Sequence, residues 1–461
     1  MDERKPRRSG KKILFLLALL VLGWGALMTF RVGDSPTIEI EPEMSAIGKR
    51  TPVRVTFEEK GRGLSQVQVE FIQGDRSEIL AEAHHQPREP WKFWGGAVEH
   101  DQLTVEVGSE VLEGLKTGDA TLRASAWRAD TWLRHPQPAV EEVVLPVRLS
   151  PPSMQIRSSH NYVAPGGSGV VIYKVGESSV RDGVLIGDLW FPGFALESEE
   201  PGVHFALFAV PFDLVDGNTI LLVAADDVGN EARVSFVDQY LPRSYSTDTI
   251  ELTDGFMERV VPAIMAATPG VEDQGDLLQN YLWINGELRR RNATTLTELA
   301  GESREEFLWS EVFKPMSNAQ VMSSFADRRT YRYQGQEVDQ QDHLGFDLAS
   351  TVHAEIEAAN DGVVVLARFF GIYGNAVVID HGYGLMSLYG HLSSIAVGEG
   401  QPVERGQIVG RSGATGLAGG DHLHFTMLIQ GQAVNPVEWW DAAWIRDRFA
   451  AKLGDAFTFQ P

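Results

Sequence analysis

His343-Leu-Gly-Phe-Asp-Leu348 and Asp421-His-Leu-His-Phe-Thr426 alternate polar and apolar residues so strictly that both predict strands with assignable faces. Successive side chains on a strand point to opposite sides. The first stretch therefore puts His343, Gly345 and Asp347 on one face and Leu344, Phe346 and Leu348 on the other. A helix would also align His343 with Asp347 at i,i+4, but Gly345 and the alternation favour a strand. In the second stretch His422 and His424 share a face, with Leu423 and Phe425 turned into a core. A third run, Leu385-Met-Ser-Leu-Tyr-Gly-His391, is predicted to set Leu385, Ser387, Tyr389 and His391 on a common face, so that three strands converge on one point.

Six of the twelve histidines lie within residues 343–424, which makes this region the place to look for chemistry. Catalytic zinc is commonly held by about three His and carboxylate ligands, with a position left open for water. His343, Asp347 and one histidine of the His422/His424 pair would supply two imidazoles and one carboxylate, and spacing alone does not choose within the pair. The chain has no cysteine, so thiol catalysis and cysteine zinc sites are excluded. No HExxH sequence occurs either, so the remaining histidines must serve as acid and base. His353 and His381 read as ordinary histidines.

Outward from this region the chain is β-rich. Thr37-Ile-Glu-Ile-Glu41, Val53-Arg-Val-Thr-Phe57 and Val67-Gln-Val-Glu-Phe71 have period two, as half-buried strands do. Leu149-Ser-Pro-Pro152 reads as a linker. A second β unit follows, and its Leu221–Val234 segment resembles the end of bacterial immunoglobulin-like domains; Asp226, Asp227 and Asn230 read there as a hairpin turn. Between residues 247 and 310 the spacing becomes helical, with Leu277, Leu278, Tyr281, Leu282 and Leu288 near one face. Pro262, Pro269 and Gly270 are expected to break that segment into short helices. The Asn292-Ala-Thr triplet carries no weight as a glycosylation signal.

The formal net charge of -23 argues against a nucleic-acid partner, which clustered Lys and Arg would be needed to bind. Residues 1–12 depart from that balance, with six basic and two acidic side chains, and predict a cytoplasmic basic tail. Residues 13–30 are apolar apart from glycines and one threonine; as a helix they span about 27 Å, close to a hydrocarbon core of about 30 Å. No small-residue cleavage site precedes Asp34, so the stretch predicts an uncleaved anchor rather than a signal peptide. The positive-inside rule then puts the remainder outside the inner membrane.

A series of motifs from about residue 320 to 437 resembles the lysostaphin/LytM-type zinc metallopeptidases. They are Ser324-Phe-Ala-Asp-Arg-Arg329, His343-Leu-Gly-Phe-Asp347, Ala358-Ala-Asn-Asp-Gly-Val363, Tyr373-Gly-Asn375, Ile379-Asp-His-Gly382, Leu388-Tyr-Gly-His-Leu392, Val403–Gly410 and His422-Leu-His-Phe425. The resemblance implies one Zn2+ per chain on His343, Asp347 and His424, with His391 and His422 as the catalytic histidines. It also implies that Tyr373 and Asn375 line a substrate groove, that peptidoglycan is the substrate, and that the periplasm is the compartment. Two departures stand out: Ala326 replaces the glycine usual after the Phe, and His353 stands where a turn glycine is common. Non-catalytic amidase activators of this family generally lose zinc ligands, whereas this chain has lost none, so an activator is the second reading. The glycine spacing after Val397 also resembles biotinyl and lipoyl carriers, but no lysine occurs between Lys314 and Lys452 to carry the group.

The expected architecture is thus mainly β. It comprises the tail (1–12), a membrane helix (13–30), a β-sandwich module (35–150), an immunoglobulin-like β module (151–242), a helical connector (247–310), an antiparallel β metallopeptidase domain (312–445) and a C-terminal tail (446–461).

Overall fold

A computed structural model describes residues 9–196 and 200–460, and residues 1–8 of the expected basic tail lie outside that range. The protein is mainly β, with an apolar helix at Ser9–Phe30. Within that helix Lys11–Phe30 is long and apolar enough to cross a membrane, and none of it is buried in protein.

The chain divides into two compact units. The first comprises residues 1–152 with 178–180 and 225–231; the second comprises the rest. In the first unit a three-stranded sheet (Thr37–Pro42, Thr51–Glu58, His100–Val107) faces a four-stranded sheet (Arg76–His84, Leu64–Gln73, Gly118–Arg128, Ala139–Val147). The alternation read in the sequence does the work here: Val53, Val55 and Phe57 point inward against Val67, Val69, Phe71 and Leu122. Asp226 and Asn230 close a turn, as read in the sequence. Asp226 Oδ1 accepts from the Val228 and Asn230 amides, and Asn230 Nδ2 donates to Asp226 Oδ2.

The second unit opens with a seven-stranded sheet that encloses Tyr173, Phe191, Phe205, Phe208 and Leu222. The segment after it begins as a strand rather than a helix. Thr247–Leu252 pairs in parallel with Asp327–Tyr333, because Thr-Asp-Thr-Ile-Glu-Leu alternates with period two. Helices follow at Asp254–Ala267, Leu277–Trp283 and Arg289–Gly301, with a π-helical turn at Ile284–Leu288. Pro262 lies inside the first of these and does not break it. Its ring is exposed, and the Glu258 carbonyl it leaves without an amide partner belongs to an exposed residue that water can reach.

The remainder holds an eight-stranded sheet, with Phe346–Ala349, Leu423–Ile429, Leu385–Leu392 and Asn375–Asp380 adjacent at its centre, and a three-stranded sheet of Glu355–Glu357, Ile408–Arg411 and Ser394–Ile395. The last residues are no loose tail. Ile445, Phe449, Leu453 and Phe457 are buried with Trp309, Phe313 and Trp439. The same core reaches back into the seven-stranded sheet, where Phe205 lies 5.6 Å from Phe307 and 4.9 Å from Tyr383 between ring centroids.

Candidate metal centre and cleft

Asp347 stands directly opposite His424 in the antiparallel pairing of Phe346–Ala349 with Leu423–Ile429, so both side chains emerge on one face. His343 reaches the same point from the end of the Gln336–His343 strand. The predicted continuous strand from 343 to 348 is in fact interrupted at Leu344 and Gly345. The reason is space: a Cβ on Gly345 would lie 2.6 Å from the His424 ring and from Thr426 Oγ1. The chain bends where only glycine lets His424 approach.

His343 Nε2 lies 2.9 Å from Asp347 Oδ1 and 3.0 Å from His424 Nδ1, and His424 Nδ1 lies 3.1 Å from Asp347 Oδ1. All three residues are buried. Their outer atoms fix which nitrogens are free. His343 Nδ1 donates to the Ser324 carbonyl at 3.0 Å, which leaves Nε2 as a lone pair. Thr426 Oγ1 gives its only hydrogen to the Leu344 carbonyl, so at 3.0 Å it accepts from His424 Nε2, which leaves Nδ1 as a lone pair. Arg329 Nη2 holds Asp347 Oδ2 at 2.9 Å and leaves Oδ1 turned inward. Two imidazole lone pairs and an anionic oxygen thus face one another with no hydrogen among them, an arrangement that repels itself unless a cation sits between. For bonds of about 2.0 Å a tetrahedral ion sets its ligands about 3.3 Å apart, close to the spacing seen. The donor set fits zinc.

His391 and His422 flank these three, with ring centroids 4.8 Å apart. His422 Nε2 is 3.3 Å from Asp347 Oδ1, and its Nδ1 donates to the Gly420 carbonyl. His391 Nδ1 donates to the Thr415 carbonyl at 2.8 Å, leaving Nε2 free. The sequence placed His391 on the face of Ser387 and Tyr389, and this is overturned. Tyr389 pairs with Phe425 on the core side, whereas His391 adopts φ +61° at a bulge in the pairing of Leu385–Leu392 with Asn375–Asp380. The bulge turns its ring to the side of His424, a re-aiming that such irregularities commonly serve. Ser387 and Tyr389 instead join a buried network with His381, whose Nδ1 donates to the Asp361 carbonyl. His353 is exposed and lies beside Asp421.

Burial pushes the His424 imidazole down to about 4, and burial with the neighbouring His422 and His424 holds His391 well below the ordinary value. Burial opposes the charge on Asp347, yet the His343, His422 and His424 rings packed against it outweigh burial and hold the carboxyl well below its usual range. For His422 burial acts downward, and the Asp347 carboxylate overcomes it and raises the imidazole. A cation on the three donors would offset that last pull.

These groups open into a cleft of about 460 Å³. Tyr373 lines it, 5.4 Å from His424 between ring centroids. Asn375 is absent from the lining; its amide donates to the Leu392 carbonyl. Two residues that orient the cluster, Arg329 and Thr426, were not singled out from the sequence. Thr426 carried a signal, because the alternation of Asp421–Thr426 puts it on the face of His422 and His424. Arg329 carried none beyond its place in a motif.

Residues 341–436 match the description of peptidase family M23. That stretch is a peptidase family M23 domain. Over 96 residues the chain is 44% identical to the peptidoglycan DD-endopeptidase ShyA of Vibrio cholerae, covering 21% of this chain and 22% of that protein. Over 95 residues it is 41% identical to the murein hydrolase activator EnvC of Escherichia coli, covering 21% of this chain and 23% of that protein. The match therefore spans about a fifth of the length of these relatives. A solved structure described as a putative peptidase M23 from Pseudomonas aeruginosa is similar at 23% identity and a TM-score of 0.37, covering 60% of this chain and 95% of that one. The cleft is not built by the M23 domain alone. Ile250, Leu252, Phe256, Tyr281, Asn285 and Arg289, from the strand and helices that precede it, form one wall. Arg289 is fixed there by hydrogen bonds to the Asn285 carbonyl and Oδ1, at 3.0 and 2.7 Å.

Proposed function

We propose that this protein is a zinc endopeptidase that hydrolyses peptide bonds in peptidoglycan stem peptides or cross-links. The observation that carries the reading is the convergence of His343 Nε2, Asp347 Oδ1 and His424 Nδ1 with their lone pairs turned inward. These three would hold the ion. Zinc there supplies Lewis acidity, polarising a carbonyl and making a water molecule acidic near neutral pH. The remaining steps belong to the side chains. One of His391 and His422 would accept the proton of the attacking water at Nε2, and the other, already carrying a proton at its own Nε2, would stabilise the oxyanion or give that proton to the leaving amine. Tyr373 lines the peptide's path, Asn375 stiffens the turn behind it, and the Arg289 guanidinium suits a substrate bearing carboxylates.

In the same reading Ser9–Phe30 anchors the chain in a bacterial inner membrane, with the two β modules, the helical segment and the peptidase on the periplasmic side. The deciding experiment is cleavage of purified muropeptides by the whole protein, with products identified by mass spectrometry. A chelator is expected to abolish cleavage and added zinc to restore it, with His391→Ala lowering turnover while zinc stays bound. Cleavage that persists in His424→Ala would overturn the ligand assignment. The similarity to EnvC over 95 residues supports one alternative, a non-catalytic activator that recruits another hydrolase. On that reading the zinc-loaded protein cleaves nothing alone and stimulates a separate amidase.

A further inference from the structure

We propose that the two loops surrounding the exit of the Ser9–Phe30 helix form a platform that seats the first β unit in the phospholipid headgroup layer. The inference rests on the reading of that helix as a membrane anchor.

The helix does not end in a flexible stalk. Thr131 Oγ1 donates to the carbonyl of Thr29 in its last turn at 2.8 Å. Arg31 Nη1 donates to the carbonyls of Pro90 and Lys92 at 3.0 and 3.1 Å, and Arg62 Nη1 donates to the Arg31 and Asp130 carbonyls at 2.9 Å each. The next residues are tied down as well, with Arg128 Nη1 on the Gly33 carbonyl and the Asp34 amide on Glu59 Oε1. The loops near residues 88–94 and 130–134 are therefore pinned to the point where the chain leaves the hydrocarbon.

Those loops carry the side chains that a soluble surface avoids. Trp91 is 45% exposed, Phe93 62%, Trp94 66%, Trp132 80% and Leu133 62%, beside Phe30 at 60%. Exposed apolar residues elsewhere in the unit, such as Ile79 and Val140, stand on strands well apart in sequence. A cluster of this kind marks an interaction surface. Its composition selects the partner: tryptophan and phenylalanine interleaved with arginine and lysine suit the boundary between acyl chains and phosphates. The basic groups are already poised among the rings, with the Arg31 guanidinium 4.0 Å from the Phe93 centroid and that of Arg134 5.1 Å from Phe30. A bilayer is the one surface that must lie at this end of the unit once the helix is inserted. The consequence is a unit that stands on the membrane at a fixed attitude instead of swinging above it.

The absence of cysteine in the chain makes the test direct. Single cysteines replacing Gly96 and His135 in the full-length protein are labelled with an environment-sensitive fluorophore, and the protein is reconstituted in phosphatidylcholine–phosphatidylglycerol vesicles. Leu20→Cys reports on the anchor. Asp75→Cys is the aqueous control, at the far end of the Leu64–Gln73 strand and about 30 Å from the loops. Lipids spin-labelled near the headgroup are expected to quench positions 96 and 135 at least twofold more than position 75. Substituting Trp91, Trp94 and Trp132 together with serine is expected to remove that difference. Quenching at 96 and 135 no greater than at 75, with position 20 quenched by deep labels, overturns the platform while leaving the anchor intact. Blue-shifted emission at 96 and 135 without lipid quenching assigns the patch to a protein contact and overturns it too. Failure of position 20 to quench removes the anchor reading itself.

Discussion

The candidate metal cluster depends on atoms one hydrogen bond further out than its three donors. Arg329 holds the outer oxygen of Asp347, and Thr426 fixes the tautomer of His424. Partners of this kind commonly contribute about 10–100-fold in metal affinity. Arg329→Ala is therefore expected to weaken zinc binding by about that factor in a competition titration with a chromophoric chelator, and unchanged affinity would remove its orienting role. Ala326 presents a different economy of structure. It adopts φ +62°, in the left-handed region, with its amide donating to the His343 carbonyl. A non-glycine residue there costs about 1–2 kcal/mol, part of which glycine gives back through the freer unfolded chain. Ala326→Gly should raise stability by up to about 1 kcal/mol in denaturant titrations, and Ala326→Val should lower it. His353, the other departure from the family pattern, also has positive φ, at +55°. Both oddities of sequence sit where the backbone asks for glycine.

Among the elements, strand alternation made most of the site legible. It set Asp347 with His424, and Leu423 and Phe425 in the core, because an antiparallel register leaves no other choice once one face is buried. It failed at Leu344–Gly345 and at His391, where a bend and a bulge interrupt the pleat and where the chemistry lies. Neither has a local signature beyond a glycine, since each is imposed by a side chain more than thirty residues away or by the neighbouring strand. Packing between elements also leaves a mark on titration. Burial pushes His381 down to about 4 from an ordinary 6.5, so below 6.5 the unfolded chain takes up a proton that the fold refuses. Stability should fall as pH drops from about 6.5 to 4, by on the order of 3 kcal/mol from this group. Glu438 acts in the opposite sense. Burial raises it to about 7 from 4.5, and its carboxyl sits between the Ser168 amide and Arg243. The fold keeps a proton that the unfolded chain has released, so its contribution fades as pH rises from 4.5 to 7. Between pH 4.5 and 6.5 the two slopes largely offset each other, so urea midpoints should rise more steeply with pH in Glu438→Gln than in the native chain, and should fall with pH in His381→Gln.

For the molecule as a whole, the sequence drew a boundary near residue 311 that the second unit does not respect. Trp309, Trp439, Phe449 and Phe457 form one aromatic core that continues through Phe307 to Phe205 of the seven-stranded sheet. Composition could not reveal this, because an aromatic residue reads the same whether its partner is near or far in the chain. A fragment of residues 312–445 should consequently be insoluble, or melt well below residues 153–461 in calorimetry; equal melting temperatures would show that the shared core is dispensable. The cleft crosses the same boundary. Its candidate metal donors come from residues 343–424, and part of its lining comes from residues 250–289. The donor cluster and much of the cleft lining thus lie in separate stretches of sequence, so substitutions at residues 250–289 can reshape the cleft while the donors stay untouched.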